Sequence, residues 1–456
     1  MTEKRCVRCA ERNVENMKIP QINNINNFQY LLMNHTRTHS RHICRILATV
    51  LLFVLTALTI RAQKWTYDFI VPDQGSFIQA IHAANARPNK QVRYRIFVRS
   101  GNYRLRREPV AVPTLTAPNT SIVGEQWQNT QVEYCPMTES LTTTCTLFLN
   151  GADSTYIQDI ELWSNYRNDL RLYANTAVAL REKHCRGNIM KNVSLLGTQN
   201  TYYTNEGECT YLEDCRIAGT VDFICGGGTI YFNHCDVQMV NRGDATRQDI
   251  LCAPATEPGR SYGFVFNDCY IDGPEHQKGR YLLGRGWKGA PRAAFISCQM
   301  NIEPAAEGWA DTPGVAPERL AEYESTNGLF ELLDLTRRRQ IFAATPDNIV
   351  RSASMHAEEA QLYTPDQVFP TWHPQDVAAQ VVPPVLHIAG RRITWNDLPE
   401  AGCYVVCKDR KAVAFTTHPS YTVPAGTREG ACFTVRCANQ RGGLGLPSDQ
   451  VVFSLH

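Results

Sequence analysis

A six-position pattern recurs along the middle of the chain and constrains its fold more than any other feature. Each copy reads apolar, any residue, small polar or His, apolar, any residue, apolar. The copies start at intervals of 33, 22, 20, 34 and 29 residues, at Ile157, Met190, Leu212, Phe232, Phe266 and Phe295. Irregular repeats of this kind are typical of a β-solenoid, whose coils stack their apolar residues on one another. A β-sandwich is the rival, but its strands tend to recur about every 8–12 residues.

The cysteine content fits a solenoid. Of 17 cysteines, 14 lie beyond residue 62. The fourth position of the repeat is a cysteine in four copies, namely Cys215, Cys235, Cys269 and Cys298. A free buried cysteine behaves as a small hydrophobe, so we expect stacked thiols there. Two other pairs, Cys403 with Cys407 and Cys432 with Cys437, could form disulfides if the chain is exported.

The first 62 residues carry the features of an export signal. An apolar run, Ile46–Leu55, follows three arginines and precedes the small Ala62. This order predicts a signal peptide cleaved near Ala62 and a periplasmic or secreted protein, with an uncleaved anchor as the alternative. Because a signal normally begins a chain, residues 1–32 are interpreted as an over-extended N-terminus and Met33 as the true start.

The charge of the remaining chain excludes one class of partner. The whole chain carries a net charge of +2 and the first 62 residues carry +6, which leaves −4 for the rest. A mildly acidic protein offers no electrostatic case for nucleic-acid binding. No stable membrane partner is expected once the signal has been cleaved.

The character of the sequence changes after residue 362. Residues 363–384 contain five prolines and predict a linker between a β-helix over 63–362 and a last domain over 385–456. In the last domain, short strand-like segments alternate with Gly, Pro and Asn turns, which predicts a small β-sandwich. Its tail, Val435–Ser448, resembles the last strands of fibronectin type III domains, a likeness of fold that assigns no activity.

The most specific motif is GTVDFICG, Gly219–Gly226, which places Asp222 in an apolar run. By itself, an Asp beside Gly-rich segments usually marks a turn between two short strands. Four further motifs occur in order around it, at Ala177–Leu180, Gly197–Thr201, Gly263–Phe266 and Leu283–Trp287. Together these motifs, over roughly residues 67–328, resemble the pectin methylesterases, whose own motif reads GTVDFIFG. The resemblance implies an all-β fold, a right-handed parallel β-helix, and removal of methyl groups from galacturonan.

The resemblance also implies roles for individual residues. Asp222 matches the nucleophile, a carboxylate that can attack an ester carbonyl when it is ionised and desolvated. Arg285 matches the arginine that pairs with this carboxylate, orients it and keeps its pKa low. Gln199 matches the glutamine whose amide stabilises the oxyanion. Trp287 matches an aromatic residue that packs against a sugar ring. The implied mechanism needs no metal and no cofactor.

Three positions depart from the family pattern. Asn200 stands where the family has an Asp that protonates the departing methanol and then activates water, and an amide cannot exchange a proton in that way. Such assistance is typically worth about 10²–10⁴-fold, so its loss predicts a slow enzyme. Thr176 replaces a Gln, and Gly286 replaces a Pro. Glu206 and Glu208 lie nearby in sequence and are candidates to supply the proton.

The substrate groove and the function follow from these assignments. The residues expected to contact pectin are Thr176, Tyr202, Tyr203, Phe223 and Trp287. The expected function is an exported ester hydrolase that converts methylated homogalacturonan to pectate and methanol. The alternative, motivated by Asn200, is an impaired relative that binds pectin without processing it. A polysaccharide lyase on the same fold ranks last, because no carboxylate cluster suited to Ca²⁺ is apparent near Asp222.

Overall fold

Three long parallel sheets form the body of the protein in a computed structural model, which describes residues 63–105, 112–142, 144–166, 175–241, 246, 248–346 and 349–455. Neighbouring strands in each sheet come from successive coils, so the chain returns to every sheet once per coil. The architecture is a parallel β-helix, which confirms the predicted solenoid. The expected signal peptide and over-extended N-terminus lie outside the described residues. Within those residues, none of the helices has the length and apolar character needed to span a membrane.

The strands of the three sheets are numbered in chain order. Sheet A consists of β1 (Phe69–Val71), β2 (Tyr94–Val98), β5 (Thr120–Gly124), β8 (Tyr156–Gln158), β11 (Arg186–Lys191), β14 (Cys209–Glu213), β17 (Thr229–Asn233), β20 (Phe264–Asn267), β23 (Arg292–Ile296) and β26 (Arg319–Tyr323). Sheet B consists of β3 (Gly101–Leu105), β6 (Thr130–Tyr134), β9 (Glu161–Ser164), β12 (Ser194–Leu196), β15 (Arg216–Gly219), β18 (Asp236–Met239), β21 (Tyr270–Asp272), β24 (Gln299–Met300) and β27 (Thr326–Asn327). Sheet C consists of β4 (Thr114–Leu115), β7 (Leu147–Asn150), β10 (Leu180–Lys183), β13 (Tyr202–Thr204), β16 (Val221–Gly226), β19 (Ile250–Pro254), β22 (Leu282–Arg285) and β25 (Trp309–Ala310).

One helix, α1 (Phe77–Ala86), packs against the first coil. Ser76 caps its N-terminus: the Ser76 hydroxyl accepts a hydrogen bond from the Gln79 backbone, and the Gln79 side chain accepts one from the Ser76 backbone. This reciprocal capping satisfies two backbone donors that a helix end would otherwise leave free. The helix buries Phe77 and Ile81 in the core of the coils.

The apolar positions of the repeat become ladders inside the coils. The rings of Phe232, Phe266 and Phe295 are paired in register, with centroids 4.5 and 4.4 Å apart and planes within 6° and 9° of parallel. The four cysteines of the fourth position are buried and free, in line with the expected stack of thiols. The repeat therefore encodes the stacking of one coil on the next.

The third position of the repeat turns the chain. Its residues all have a φ between 50° and 54°, and they are Asp159, Asn192, Asp214, His234, Asp268 and Ser297. Asn, Asp and His tolerate this left-handed conformation better than β-branched or bulky residues do. The preference for a small polar residue or His at this position therefore has a backbone cause.

The C-terminal part of the chain covers sheet A. Three short helices, α2 (Ala357–Ala360), α3 (Pro365–Val368) and α4 (Pro374–Ala378), precede the sheets of this part. A 3₁₀ turn, Gln361–Tyr363, lies between α2 and α3, and another, Glu275–Gln277, lies in the β-helix. One antiparallel sheet contains β28 (Leu386–Ala389), β29 (Arg392–Trp395) and β32 (Ser420–Thr422). The other contains β30 (Cys403–Lys408), β31 (Lys411–Thr416), β33 (Cys432–Ala438), β34 (Leu444–Pro447) and β35 (Val451–Val452).

These two sheets bury one core between them and a second against the β-helix. Ile393 and Phe433 belong to the core between the sheets, whereas Cys403 and Val405 pack with Phe97 on the outer face of sheet A. The proline-rich segment also buries Phe369 in this second core. The outer face of sheet A is therefore occupied by the protein itself.

The expected disulfides are wrong. Cys403 and Cys407 lie on the single strand β30, and Cys432 and Cys437 lie on the single strand β33. At a rise of about 3.3 Å per residue, partners four or five residues apart are separated by about 13–16 Å. A disulfide needs Cα atoms within about 7 Å. All fourteen cysteines in the described part of the chain are free.

The phenylalanine ladder leads to a stability prediction. Replacing the central ring, Phe266→Ala, should lower the free energy of unfolding by about 3–5 kcal/mol, because the stacked coils cannot collapse around the cavity. Phe266→Leu should lose less, and Phe330→Ala, at a residue 74% exposed, should change the value by no more than about 0.5 kcal/mol. Urea unfolding monitored by circular dichroism measures all three, and equal losses for Phe266→Ala and Phe330→Ala would contradict the ladder's role.

Candidate active site

The outer face of sheet C carries a column of aligned side chains, one from each coil. Because successive residues of a strand point to opposite faces, the neighbours of the inward core residues point outward. The register pairs Arg181 with Tyr203, Tyr203 with Cys225, and Cys225 with Ala253. We call this set the outer column, and it consists in strand order of Phe148, Arg181, Tyr203, Cys225, Ala253 and Arg285.

Asp222 and Arg285 form a two-point ion pair beside this column. Arg285 Nε donates to Asp222 Oδ1 at 3.0 Å, and Arg285 Nη2 donates to Asp222 Oδ2. The Asp222 side chain is 7% exposed and the Arg285 side chain 40%. The carboxylate is therefore buried in the coils, and the arginine is partly exposed at their surface. Two parallel hydrogen bonds orient a carboxylate more strictly than one. The structure thus joins two residues 63 positions apart, as the sequence predicted.

A local distortion of β16 sets the direction of the Asp222 side chain. Asp222 has a φ of 46°, and the register of β16 with β19 shifts between Val221 and Ile224. A left-handed residue in a strand interrupts the pairing and redirects its side chain, and such irregularities concentrate at functional sites. The glycines that flank the motif matter here: at Gly219, a Cβ would lie 2.2 Å from Cβ of Phe223.

The pKa of Asp222 is raised, not lowered. Burial is the largest influence and raises it, whereas the hydrogen bonds and positive charge of Arg285 lower it and offset only part of the rise. The expectation that Arg285 keeps this pKa below its ordinary range is therefore wrong. A raised pKa makes the ionised carboxylate more basic, but it also means that ionisation needs a higher pH.

Asn200 contacts the backbone of Asp222. Its Nδ2 donates to the Asp222 carbonyl at 3.3 Å and to Cys225 Sγ at 3.0 Å. A carbonyl oxygen can only accept, so the NH₂ group must face Asp222 and the amide oxygen must point away. Asn200 therefore stands where the sequence placed the acid/base position, and it presents there an amide held by two partners.

Cys225 was not singled out from the sequence. Cys225 is fully buried, its sulfur accepts a hydrogen bond from Asn200, and it lies next to Tyr203 in the outer column. Burial raises the pKa of this thiol well above its ordinary value, so it remains uncharged. The signal that could have found it is the motif itself, which reads GTVDFICG where the family has GTVDFIFG.

Gln199 and Thr176 lie in adjacent coils at the edge of sheet C. The two residues form a parallel β-bridge, and the Thr220 backbone donates to the Thr198 carbonyl at 3.0 Å. These bonds hold the segment before Gln199 next to the segment before Asp222. Among the described residues, none forms a hydrogen bond with the Gln199 side-chain amide, which leaves its donors for another group.

The aromatic residues divide between the two faces. Tyr202 and Phe223 are fully buried in the core of the coils, so the expectation that they line a groove is wrong. For Tyr202 the cause is strand alternation: it faces inward, and its neighbour Tyr203 faces outward. Phe223 follows the break in β16 at Asp222, where the pairing with β19 shifts. The Tyr203 and Trp287 rings lie 6.0 Å apart on the outer face, and Trp287 is 39% exposed. These two rings are the ones placed to meet a sugar.

The two candidate proton donors, Glu206 and Glu208, differ in their exposure. Glu208 is fully buried; its Oε1 accepts from the His184 backbone at 2.7 Å, and burial, followed by the charge of Glu182, raises its pKa to about 8. Because Glu208 is enclosed in the coils, its candidacy is withdrawn. Glu206 is exposed and pairs with Lys288, the residue after Trp287, at 3.2 Å. Of the two glutamates, Glu206 alone is exposed.

Comparison with known proteins gives this arrangement a context. A family model described as Pectinesterase matches residues 70–328. Among curated relatives, a probable pectinesterase/pectinesterase inhibitor 64 of Arabidopsis thaliana is 31% identical over 150 residues, or 30% of this chain and 25% of the relative. Pectinesterase/pectinesterase inhibitor U1 of Solanum lycopersicum is 27% identical over 266 residues, or 55% of this chain and 43% of the relative. The chain thus spans less than half the length of these two relatives.

Solved structures share the fold. Pectin methylesterase PemA from Erwinia chrysanthemi superposes with a TM-score of 0.54 at 21% identity, covering 68% of this chain and 99% of that one. At this identity the likeness shows the fold alone, a parallel β-helix.

Proposed function

The chain belongs to the pectinesterase family, whose model matches more than half of its length, and we propose on this premise that it hydrolyses methyl esters of galacturonan to carboxylates and methanol. The single observation that carries the proposal is the Asp222–Arg285 pair, a buried carboxylate held at two points on the face that also carries the half-buried Tyr203 ring and the exposed Trp287 ring. A carboxylate oriented in this way, next to a surface suited to sugar rings, is arranged for nucleophilic attack on a bound ester.

In the first step, the ionised Asp222 attacks the ester carbonyl carbon. A bond forms between an Asp222 oxygen and that carbon, and the carbonyl electrons move to its oxygen. The Gln199 amide donates a hydrogen bond to this oxyanion. Collapse of the tetrahedral species breaks the bond to the methoxy oxygen, which takes a proton from water and departs as methanol, and an anhydride joins substrate to Asp222. Arg285 holds Asp222 in position throughout.

In the second step, water hydrolyses this anhydride. The water oxygen bonds to the substrate carbonyl carbon, the bond to Asp222 breaks, and a galacturonate carboxylate leaves. The attacking water must lose a proton. Asn200 can accept a hydrogen bond from it through its amide oxygen but cannot take the proton, which therefore passes to solvent. The absence of a general base at this position typically costs about 10²–10⁴-fold in rate, so we propose a slow enzyme.

The second candidate is a protein that binds pectin without turning it over. The observation in its favour is Asn200, whose amide is fixed by the Asp222 carbonyl and Cys225 Sγ and has no proton to exchange. Both candidates share the same bound polysaccharide and differ only in whether methanol is released.

The export of the chain and the nature of its last domain belong to the same proposal. The basic and apolar order of residues 37–62 supports cleavage near Ala62, and sequencing of the mature N-terminus should find Gln63 first. The two antiparallel sheets of residues 386–452 support a fibronectin type III-like module. A mature protein that retained residues 46–55 would contradict the cleaved signal.

Methanol release from highly methylated pectin separates the two candidates. The parent should release methanol slowly, Asp222→Ala should release none, and Asn200→Asp should be faster by about 10²–10⁴-fold because it restores a general acid and base. Asp449→Ala, at an exposed residue of the last domain, is the matched control and should equal the parent. A silent parent with an active Asn200→Asp variant would favour binding without turnover, and silence from both would contradict the esterase.

The pH profile of kcat/KM tests the role of Arg285. Activity requires ionised Asp222, so the rate should rise with pH through the pKa of this carboxyl group. Arg285→Gln removes the influence that lowers this pKa and leaves the burial that raises it, so the acid limb should move to higher pH. Arg285→Lys, which keeps the charge, should move it less. An unchanged acid limb in Arg285→Gln would show that Arg285 does not act on Asp222.

A further inference from the structure

Two glutamates are buried inside the coils of the β-helix. Glu182, on β10, and Glu208, just before β14, are both 0% exposed. Strand alternation turns Glu182 inward, while the residues on either side of it stay partly exposed. Glu208 Oε1 accepts from the His184 backbone at 2.7 Å, and the Asn205 backbone donates to the Glu182 carbonyl at 3.0 Å. The two glutamates therefore belong to adjacent coils and lie where one coil is bonded to the next.

Neither carboxyl group has a cationic partner within the described part of the chain. No lysine or arginine there forms an ion pair with Glu182 or Glu208. Another buried glutamate, Glu322, differs in this respect, because Arg338 Nε holds it at 2.7 Å. Among the described residues, Glu182 Oε1 and Glu208 Oε2 also lack a hydrogen-bond partner. A buried charge without a partner is so costly that the group becomes neutral instead.

The groups around the two glutamates supply no compensating charge. The titratable and charged side chains near them are Cys185, Arg186, Tyr202, Tyr203, Cys209, Glu257 and Arg260. Burial raises the pKa of the two thiols and the two tyrosine hydroxyls, so these groups stay uncharged. Of the two arginines, Arg260 is paired with Glu257 at 2.9 Å, and Arg186 is exposed. The contact that Glu182 does make is to a neutral donor, Thr210 Oγ1, at 2.6 Å.

Both carboxyl groups therefore hold their protons far above the ordinary range of a glutamate, whose pKa is about 4.3 in an unfolded chain. Burial is the largest influence on each group. It raises the pKa of Glu182 to about 7 and, with the charge of Glu182 as the next influence, that of Glu208 to about 8. Ionisation of both would place two negative charges between neighbouring coils.

We propose that Glu182 and Glu208 form a pH-sensitive switch within the β-helix: the coils stay closely stacked while both side chains are protonated, and they loosen when both ionise at alkaline pH. The proposal does not depend on the reaction assigned to Asp222. Strand β13 lies between the two glutamates in the chain and carries Tyr203 of the outer column. Loosened stacking would therefore reach the outer face through the same coil, and the folded range of the protein should end at mildly alkaline pH.

Thermal unfolding followed by circular dichroism at a series of pH values tests the switch. Because both pKa values are raised in the folded state, the stabilisation is fully present below about pH 4.3 and is lost as the pH rises through about 7 and about 8. The parent's Tm should fall by about 5 °C or more between about pH 6 and about pH 9. The double variant Glu182→Gln/Glu208→Gln keeps the size of both side chains but cannot ionise, so it should lose less than half as much. Glu400→Gln, the same substitution at an exposed residue of the last domain, is the matched control and should follow the parent.

Equal losses of Tm in the parent and the double variant would overturn the proposal. A parent whose Tm rises with pH and falls on addition of EDTA would also overturn it, because that behaviour belongs to ionised carboxylates that hold a cation. The single variants Glu182→Gln and Glu208→Gln guard against a double variant that fails to fold. Each should remove part of the alkaline loss, and each should weaken the infrared C=O stretch of protonated carboxyl groups at about pH 6. A band that is unchanged in both single variants would contradict the switch.

Discussion

The parallel register of the coils is the constraint on which the structure depends. Each strand of sheet C pairs with the same positions of the next coil, so one residue per coil points inward and its neighbour points outward. The inward set includes Tyr202 and Ile224, and the outward set includes Tyr203 and Cys225. A shift of a single residue would exchange the two faces. The stacked rings and thiols of the core hold that register, and the same register aligns the side chains of the outer column.

Two opposed effects set the pKa of Asp222 in its ion pair with Arg285. Burial disfavours the charged form of Asp222, and Arg285 favours it, with burial the larger influence on the pKa. The left-handed backbone at Asp222 adds a local strain that the surrounding coils sustain. Many stacked side chains fix each coil against its neighbours. One strand therefore cannot shift on its own to relieve the backbone strain at Asp222.

The chemistry that distinguishes this chain lies in the contact between Asn200 and Cys225. The Asn200 amide is oriented by hydrogen bonds to the Asp222 carbonyl and to the sulfur atom of Cys225. The site therefore combines the Asp222–Arg285 ion pair with an amide, which does not ionise, at position 200.

The sequence by itself determined the solenoid, because ladder and turn positions recur along the chain. The pairing of Asp222 with Arg285 was implied by the resemblance of their motifs to those of a known family, and the structure shows that pair. The sequence could not assign the faces of the Tyr202–Tyr203 pair, since adjacent aromatic residues satisfy either alternation. Only the tertiary structure decided that Glu208 is buried and that Asn200 meets Cys225. Those contacts join residues from different coils. The number of residues between equivalent positions of two coils varies with loop length, so sequence spacing alone does not predict such contacts.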